Sequence, residues 1–182
     1  MDWEFKVLDF IRETLSCDVM DAIMKGITYI AEVGWFWILL GVVLIFFKKT
    51  RKIGITMLGA LLLNLLVCNV TIKPLVGRIR PYDIKEGIDL IIKTPHDFSF
   101  PSGHTSASFA GAVALFLYNK KWGGAAALLA ALIGFTRLYL YVHFPTDVLA
   151  GAFIGALCAV ISYLIVKFVF NKLENKKGIK IV

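Results

Sequence analysis

Charge is scarce in this sequence. Only 18% of its 182 residues are Asp, Glu, Lys or Arg, while 58% are hydrophobic. An average soluble domain is about 25% charged and roughly 45–50% apolar. With a mean hydropathy of +0.75, the chain holds more apolar side chains than one soluble core can hide. That excludes disorder and nearly every soluble fold. Cysteine is scarce as well. Cys17, Cys68 and Cys158 lie far apart, which excludes a disulfide-stapled scaffold and a metal-binding Cys spacing. Cys68 and Cys158 fall inside apolar runs and read as small buried hydrophobes. The start of the chain lacks the basic character of a cleavable signal peptide, because Asp2, Glu4 and Asp9 spoil it. What remains is an all-α, polytopic transmembrane helical bundle. At about 20 apolar residues per crossing, the length allows roughly five or six spans and no separate soluble domain. Residues 1–182 read as one membrane-embedded domain.

The net charge is +7, and topology accounts for much of it. Lys48, Lys49, Arg51 and Lys52 form one basic cluster, Lys120 and Lys121 a second, and Lys172, Lys176, Lys177 and Lys180 a third. All three read as cytoplasmic under the positive-inside rule, so no nucleic-acid partner is expected. Between them lie five expected spans: one ending at Phe47, then about 54–72, 102–118, 123–142 and 147–170. Trp35 and Trp37 mark the outer interface of the first. Asn64 and Asn69 in the second are costly in lipid and are expected to face other helices. Residues 3–15 suit an amphipathic helix lying in the interface, or equally one packed on the bundle. Residues 18–31 carry Asp18, Asp21 and Lys25. They are too polar for a lipid-facing span, although they could contribute to a sixth, imperfect one.

Ionisable residues at membrane depth are expensive and mark functional sites. Here they converge on the face opposite the basic clusters. Lys73 ends the second span, with Arg78 and Arg80 just beyond, and His104 opens the third. Arg137 lies late in the fourth, and His143 and Asp147 flank its junction with the fifth. The bland alternative is cations snorkelling to phospholipid headgroups, a fair reading for Lys85 or Lys93 alone. In Pro101-Ser102-Gly103-His104, Ser102 is a natural N-cap and Gly103 lets a ligand approach the backbone. Amide groups and the dipole of the helix start favour an anion there. Asp147 follows His143 by four residues, and Pro145 between them implies contact across a turn. A carboxylate bonded to one ring nitrogen fixes the tautomer and leaves the other nitrogen a lone-pair nucleophile.

These segments resemble the three-part signature of the type-2 phosphatidic acid phosphatase superfamily. The first part is a Lys, six residues and Arg-Pro, here Lys73 to Pro81. The second is Pro-Ser-Gly-His, here residues 101–104. The third is Ser-Arg, five residues, His, three residues and Asp, here Thr136-Arg137, His143 and Asp147, with Thr in place of the usual Ser. The resemblance covers residues 73–147. It implies a nucleophilic His143 that becomes a phosphohistidine, an orienting Asp147, and His104 as the general acid. It implies Lys73, Arg80, Ser102, Gly103 and Arg137 as phosphate ligands. It implies no cofactor and no metal, since fixed cations can take the part that Mg²⁺ has in kinases.

A site at the ends of membrane helices favours a lipid whose phosphate lies at the interface. The expected protein is a multi-pass enzyme of a bacterial plasma membrane with its site on the extracytoplasmic side. The leading substrate is undecaprenyl diphosphate. Phosphatidylglycerophosphate and phosphatidic acid follow, with a lipid A phosphate behind them. The soluble haloperoxidase branch of the superfamily does not fit five spans. A different class of function is a non-enzymatic transporter or scramblase that draws anionic headgroups with the same cations. Oligomeric state is not legible.

Overall fold

The computed structural model describes residues 2–177, so Lys180 of the third basic cluster lies outside the described residues, as do the side chains of Lys176 and Lys177. Every regular element of the described residues is a helix, with no strand among them. Helix α1 spans Asp2–Leu15 and α2 spans Asp18–Ile30. A short 3₁₀ turn, Glu32–Gly34, precedes α3 (Trp35–Phe46). Helix α4 (Arg51–Asn64) runs straight into a π-helical stretch, Leu65–Ile72, and then α5 (Lys73–Val76). After α6 (Pro81–Ile84) and a long loop come α7 (Gly103–Tyr118), α8 (Lys120–Tyr139) and α9 (Pro145–Lys177).

Three helical stretches are long and apolar enough by themselves to cross a membrane: Arg51–Ile84, Lys120–Tyr139 and Pro145–Asn175. The first expected span is not one straight helix. Helices α2 and α3 meet at a 45° bend, where Gly34 adopts a left-handed φ of 71°. Only as a bent pair do they reach crossing length. Helix α7, at 16 residues, is about 24 Å long, short of the roughly 30 Å hydrocarbon core.

Helix α7 is the centre of the bundle, packed on α9, α8 and α4. Its surface of Ala and Ser lets neighbours come close. A Cβ built at Gly151 of α9 would stand 2.7 Å from the Ser102 carbonyl oxygen, and one at Gly155 would run into the Ser106 carbonyl oxygen. Both glycines are there because backbone meets backbone. The core around this contact holds Trp37, Met57, Ala110, Ala130 and Ala159, and the Trp37 indole donates to Ser108 Oγ at 3.1 Å. Cys68 and Cys158 are buried and unpaired, as read from the sequence, and Cys17 is exposed.

The N-terminal helix is amphipathic and packs on the bundle through one face. Glu4, Leu8 and Ile11 lie on one face of α1 and are buried, at the spacing that lines up one side of a helix. Trp3 and Phe10 on its other side stay exposed. Leu8 packs with Tyr141 and Phe144, and Ile11 packs with Met24, Tyr139, Leu140 and Val142. Helices α1 and α2 therefore cover the chain between α8 and α9.

The α7–α9 contact yields a stability prediction. Gly155→Val forces backbone apart in a packed core, a class of change costing about 1–3 kcal/mol or more. Gly26, with nothing within 4 Å of a built Cβ, is the control, and Gly26→Ala should be neutral or stabilising. Thermal unfolding in detergent should show a lowered Tm for Gly155→Val alone.

Candidate active site

The turn from α8 into α9 sets His143. The N–H groups of Val142 and His143 both donate to the Arg137 carbonyl oxygen, at 3.2 and 3.3 Å. The reversal needs a left-handed residue, and Tyr141 supplies it with φ 59°, unusual for an aromatic side chain. Complete burial of Tyr141 and a 2.7 Å bond from its Oη to Asp9 Oδ1 of α1 hold it there. Pro145 then starts α9, where a missing N–H costs nothing. Asp147 falls in its first turn, with Oδ2 3.6 Å from His143 Nδ1.

Asp147 is wholly buried, so its carboxylate needs donors. Oδ2 accepts from Ser99 Oγ at 2.5 Å and from the Phe144 N–H at 2.9 Å. Oδ1 accepts from Arg78 at 2.6 Å. His143 is nearly as buried. Burial pushes its imidazole well below the ordinary histidine range; Arg80, Arg137 and Lys73 push the same way, and Asp97 opposes them. Nε2 faces Arg80 Nη1 at 3.2 Å. An arginine can only donate, so Nε2 is the lone-pair nitrogen and Nδ1 carries the proton.

Ser102 caps α7, its Oγ accepting from the Thr105 N–H at 3.4 Å. The Ser102 N–H donates to the Asp147 carbonyl oxygen at 3.0 Å. Both polar groups of this residue thus have partners, and Ser102 lies behind the cavity wall, where it fixes the helix start. Gly103 and His104 line the cavity itself, together with Lys73, Arg80, Arg137 and His143. The cavity has a volume of about 720 Å³. Six of the eight expected site residues thus face one space, while Ser102 and Asp147 stand behind it. Thr136 takes no direct part, because its hydroxyl donates to the Ile133 carbonyl of its own helix at 2.7 Å. Asn64 and Asn69 line this cavity, and Asn69 faces helix α7, as expected: a Cβ at Gly103 would stand 3.1 Å from its Oδ1.

The three cations are held differently. Lys73 follows the π-helical stretch at the end of a span, and Gly77, with φ 59°, turns the chain immediately after. The Lys73 ammonium pairs with Asp97 Oδ2. Arg80 donates to Asp97 Oδ1 at 2.6 Å and to the carbonyls of Asp97 and Val142. Arg137 donates to Thr28 Oγ1 at 2.5 Å, and its buried Nε has no partner among the described residues. Among those residues no group of three or more His, Cys, Asp or Glu side chains is placed to hold a metal.

Sequence reasoning missed Asp97 and Ser99, and it gave Arg78 no role. Arg78 falls among the six unspecified residues of the first motif, and Asp97 and Ser99 lie in the loop before the second, where nothing in their spacing marks them out from the other polar residues. Partial burial raises the Asp97 carboxyl, yet the hydrogen bond and charge of Lys73, with those of Arg80, outweigh it and hold the group at about 2. Asp97 is thus anionic throughout the physiological range. Its contribution to stability is present above the unfolded carboxyl value and is lost only as pH falls through about 2. An incoming anion must share or displace this carboxylate. Asp97→Asn should therefore lower the inhibition constant of inorganic phosphate severalfold, measured as competition in a turnover assay; an unchanged constant means that Asp97 does not stand in the anion's place.

Comparison with known proteins shows the family. A relative from Sulfolobus acidocaldarius named undecaprenyl-diphosphatase is 34% identical over 129 residues, which cover 70% of this chain and 62% of the relative, less than two thirds of its length. The crystal structure of Aquifex aeolicus LpxE superposes with a TM-score of 0.77 at 29% identity, covering 87% of this chain and 93% of that one. The crystal structure of a PAP2-type phosphatidylglycerolphosphate phosphatase from Bacillus subtilis gives a TM-score of 0.72 at 25% identity, covering 94% and 86%. The sequence profile of the PAP2 superfamily matches residues 53–171, a stretch that contains all three motifs, and the chain belongs to that superfamily.

Proposed function

We propose that the protein is a metal-independent lipid phosphatase that removes the terminal phosphate of a lipid phosphate or diphosphate through a phosphohistidine. The observation that carries this reading is the mixed lining of the cavity. Lys73, Arg80, Arg137, His104 and His143 line it together with Ile38, Leu58, Leu61, Leu62 and Leu65. The cations and histidines suit a phosphate and the aliphatic side chains suit a hydrocarbon chain, a pairing for which a soluble phosphate ester has no use. Undecaprenyl diphosphate heads the candidates, in keeping with the name of the Sulfolobus relative. Phosphatidylglycerophosphate is the second, in keeping with the Bacillus structure.

The chemistry follows from the atoms. His143 Nε2 attacks phosphorus while the bond to the leaving oxygen breaks and His104 delivers a proton to that oxygen. Water then attacks the phosphohistidine, giving its proton to His104, and inorganic phosphate leaves with Nε2 free again. Nδ1–H faces Asp147, which stabilises the positive ring formed in the first step. The phosphoryl group takes over the donors that Asp97 and Nε2 now occupy on Arg80, while Lys73 and Arg137 neutralise the developing charge. His104 makes no hydrogen bond among the described residues, so its ring is available to the leaving group. A transporter or scramblase needs cations, but it has no use for a histidine aligned between a carboxylate and an arginine.

Purified protein should release inorganic phosphate from undecaprenyl diphosphate, phosphatidylglycerophosphate or phosphatidic acid in excess EDTA. Release that requires added Mg²⁺ or Zn²⁺ refutes metal independence, and none from any lipid refutes the enzyme reading. His143→Ala should abolish both turnover and phosphoenzyme. His104→Ala should still form phosphohistidine from an ester with a leaving group of low pKa, while lipid esters barely react.

The active site is assigned to the extracytoplasmic face, because Lys48–Lys52 and Lys120–Lys121 join helices at the other end of the bundle. Cysteine introduced at position 90 should label from the side opposite one at position 50. Labelling of both from one side would overturn the assignment.

A further inference from the structure

The N-terminal helix reaches the reacting histidine by a route outside the three motifs. Glu4 of α1 is 4% exposed, and a buried carboxylate must be bonded and paired. Its Oε2 accepts from Arg78 Nη2 at 2.6 Å. Its Oε1 accepts from Thr146 Oγ1 at 2.6 Å and from the Thr146 N–H at 3.4 Å. Arg78 in turn donates through Nη1 to Asp147 Oδ1 at 2.6 Å and to Thr146 Oγ1 at 2.7 Å. Its guanidinium lies 4.0 Å from the centre of the Phe144 ring. The planar fork is thus held edge-on by two carboxylates and face-on by an aromatic ring, which leaves it one orientation.

We propose that Glu4 is a positioning residue for catalysis: by clamping Arg78 it holds the Asp147 carboxylate in the orientation that directs His143. This rests on the reading of His143 as the nucleophile. Two physical effects combine. Without Glu4, Arg78 loses the partner of its Nη2 and is held only through Nη1, on Asp147 and Thr146, and by the Phe144 ring, so the fork that bonds Asp147 is fixed less tightly. Charge changes too. An isolated Asp147–Arg78 pair is neutral and offers little field to the imidazolium formed on attack. With Glu4 the trio carries one net negative charge beside that ring. Glu4 lies 74 positions from Arg78 and 142 from Thr146. It also lies outside the 53–171 stretch matched by the family profile, so motif spacing gives no hint of it.

The test measures kcat and KM with undecaprenyl diphosphate in detergent. Glu4→Ala should lower kcat on the order of 10–100-fold, the scale of a misplaced catalytic group, with KM within about twofold. Glu4→Gln retains one acceptor for Arg78 and should recover part of the loss. Arg12→Ala removes another tether of α1, its 2.9 Å bond to the Asp89 carbonyl, and should leave kcat unchanged. Because Glu4 acts through Asp147, Glu4→Ala in an Asp147→Asn background should cost nothing further. If Glu4→Ala does not fold, Glu4→Gln is read by the same criterion in that background. Additive losses, a loss confined to KM, or equal losses in Arg12→Ala and Glu4→Ala overturn the proposal. His143→Ala is assayed in parallel. An active His143→Ala refutes the nucleophile reading itself, whereas an inactive one beside a normal Glu4→Ala refutes only the role of Glu4.

Discussion

The carboxylate of Asp147 has no contact with water, and most of the site is arranged to keep it satisfied. A bare carboxylate in such a place is worth several kcal/mol of penalty, so each missing donor would be felt. The donors come from separate parts of the chain. Arg78 arrives from the end of the long α4–α5 helix, Ser99 from the loop before α7, and the Phe144 N–H from the turn out of α8. The backbone of the same residue also accepts from Ser102 at the start of α7. Segments carrying each of the three motifs are thereby tied to one residue. Folding the bundle and assembling the site are a single event, since Asp147 cannot be buried until these partners are present.

The close approach of α9 to α7 makes that burial possible. Gly151 and Gly155 bring the two backbones together directly below Asp147, one and two helical turns along the same face. A larger residue at either place would lift α9 off α7 and part Asp147 from Ser102. The small-residue stripe, which in a membrane bundle serves packing, here also sets the distance between the start of α7 and Asp147.

Much of this was legible in the sequence, for identifiable reasons. The helical class followed from the shortage of charge. The clustering of six of the eight expected residues on one cavity followed from motifs whose internal spacing is short and fixed, and Ser102 declared itself as a cap by its residue type, with Pro101 before it. What was not legible depends on contacts over long separations. Asp97 and Ser99 look like ordinary loop residues until the loop is folded back over Lys73, Arg80 and Asp147. Glu4 looks like a solvated charge on an amphipathic helix until α1 docks, because periodicity places it on the same face as Leu8 and Ile11 without saying what that face meets. The bend between α2 and α3 is not legible because Asp18, Asp21 and Lys25 set residues 18–31 apart from the span, while only the folded backbone shows the two helices joined at Gly34 as a pair of crossing length.

The remaining constraint is electrostatic. Lys73, Arg80 and Arg137 face one cavity near membrane depth, where like charges repel strongly and water screens them poorly. Such a cluster is costly unless anions offset it. Asp97 offsets two of the cations and is itself more than half exposed, so it is the partner best able to move aside. Arg137 is left with a hydroxyl and an unpartnered Nε, an incomplete set of bonds that a phosphoryl oxygen would complete. The site is thus balanced unevenly: the carboxylate behind His143 is buried and fixed, while the carboxylate in front of the cations is exposed and replaceable. An anion entering the cavity would relieve the repulsion that Asp97 only partly relieves. Burial first, and then the same cations, push the His143 imidazole below the ordinary histidine range.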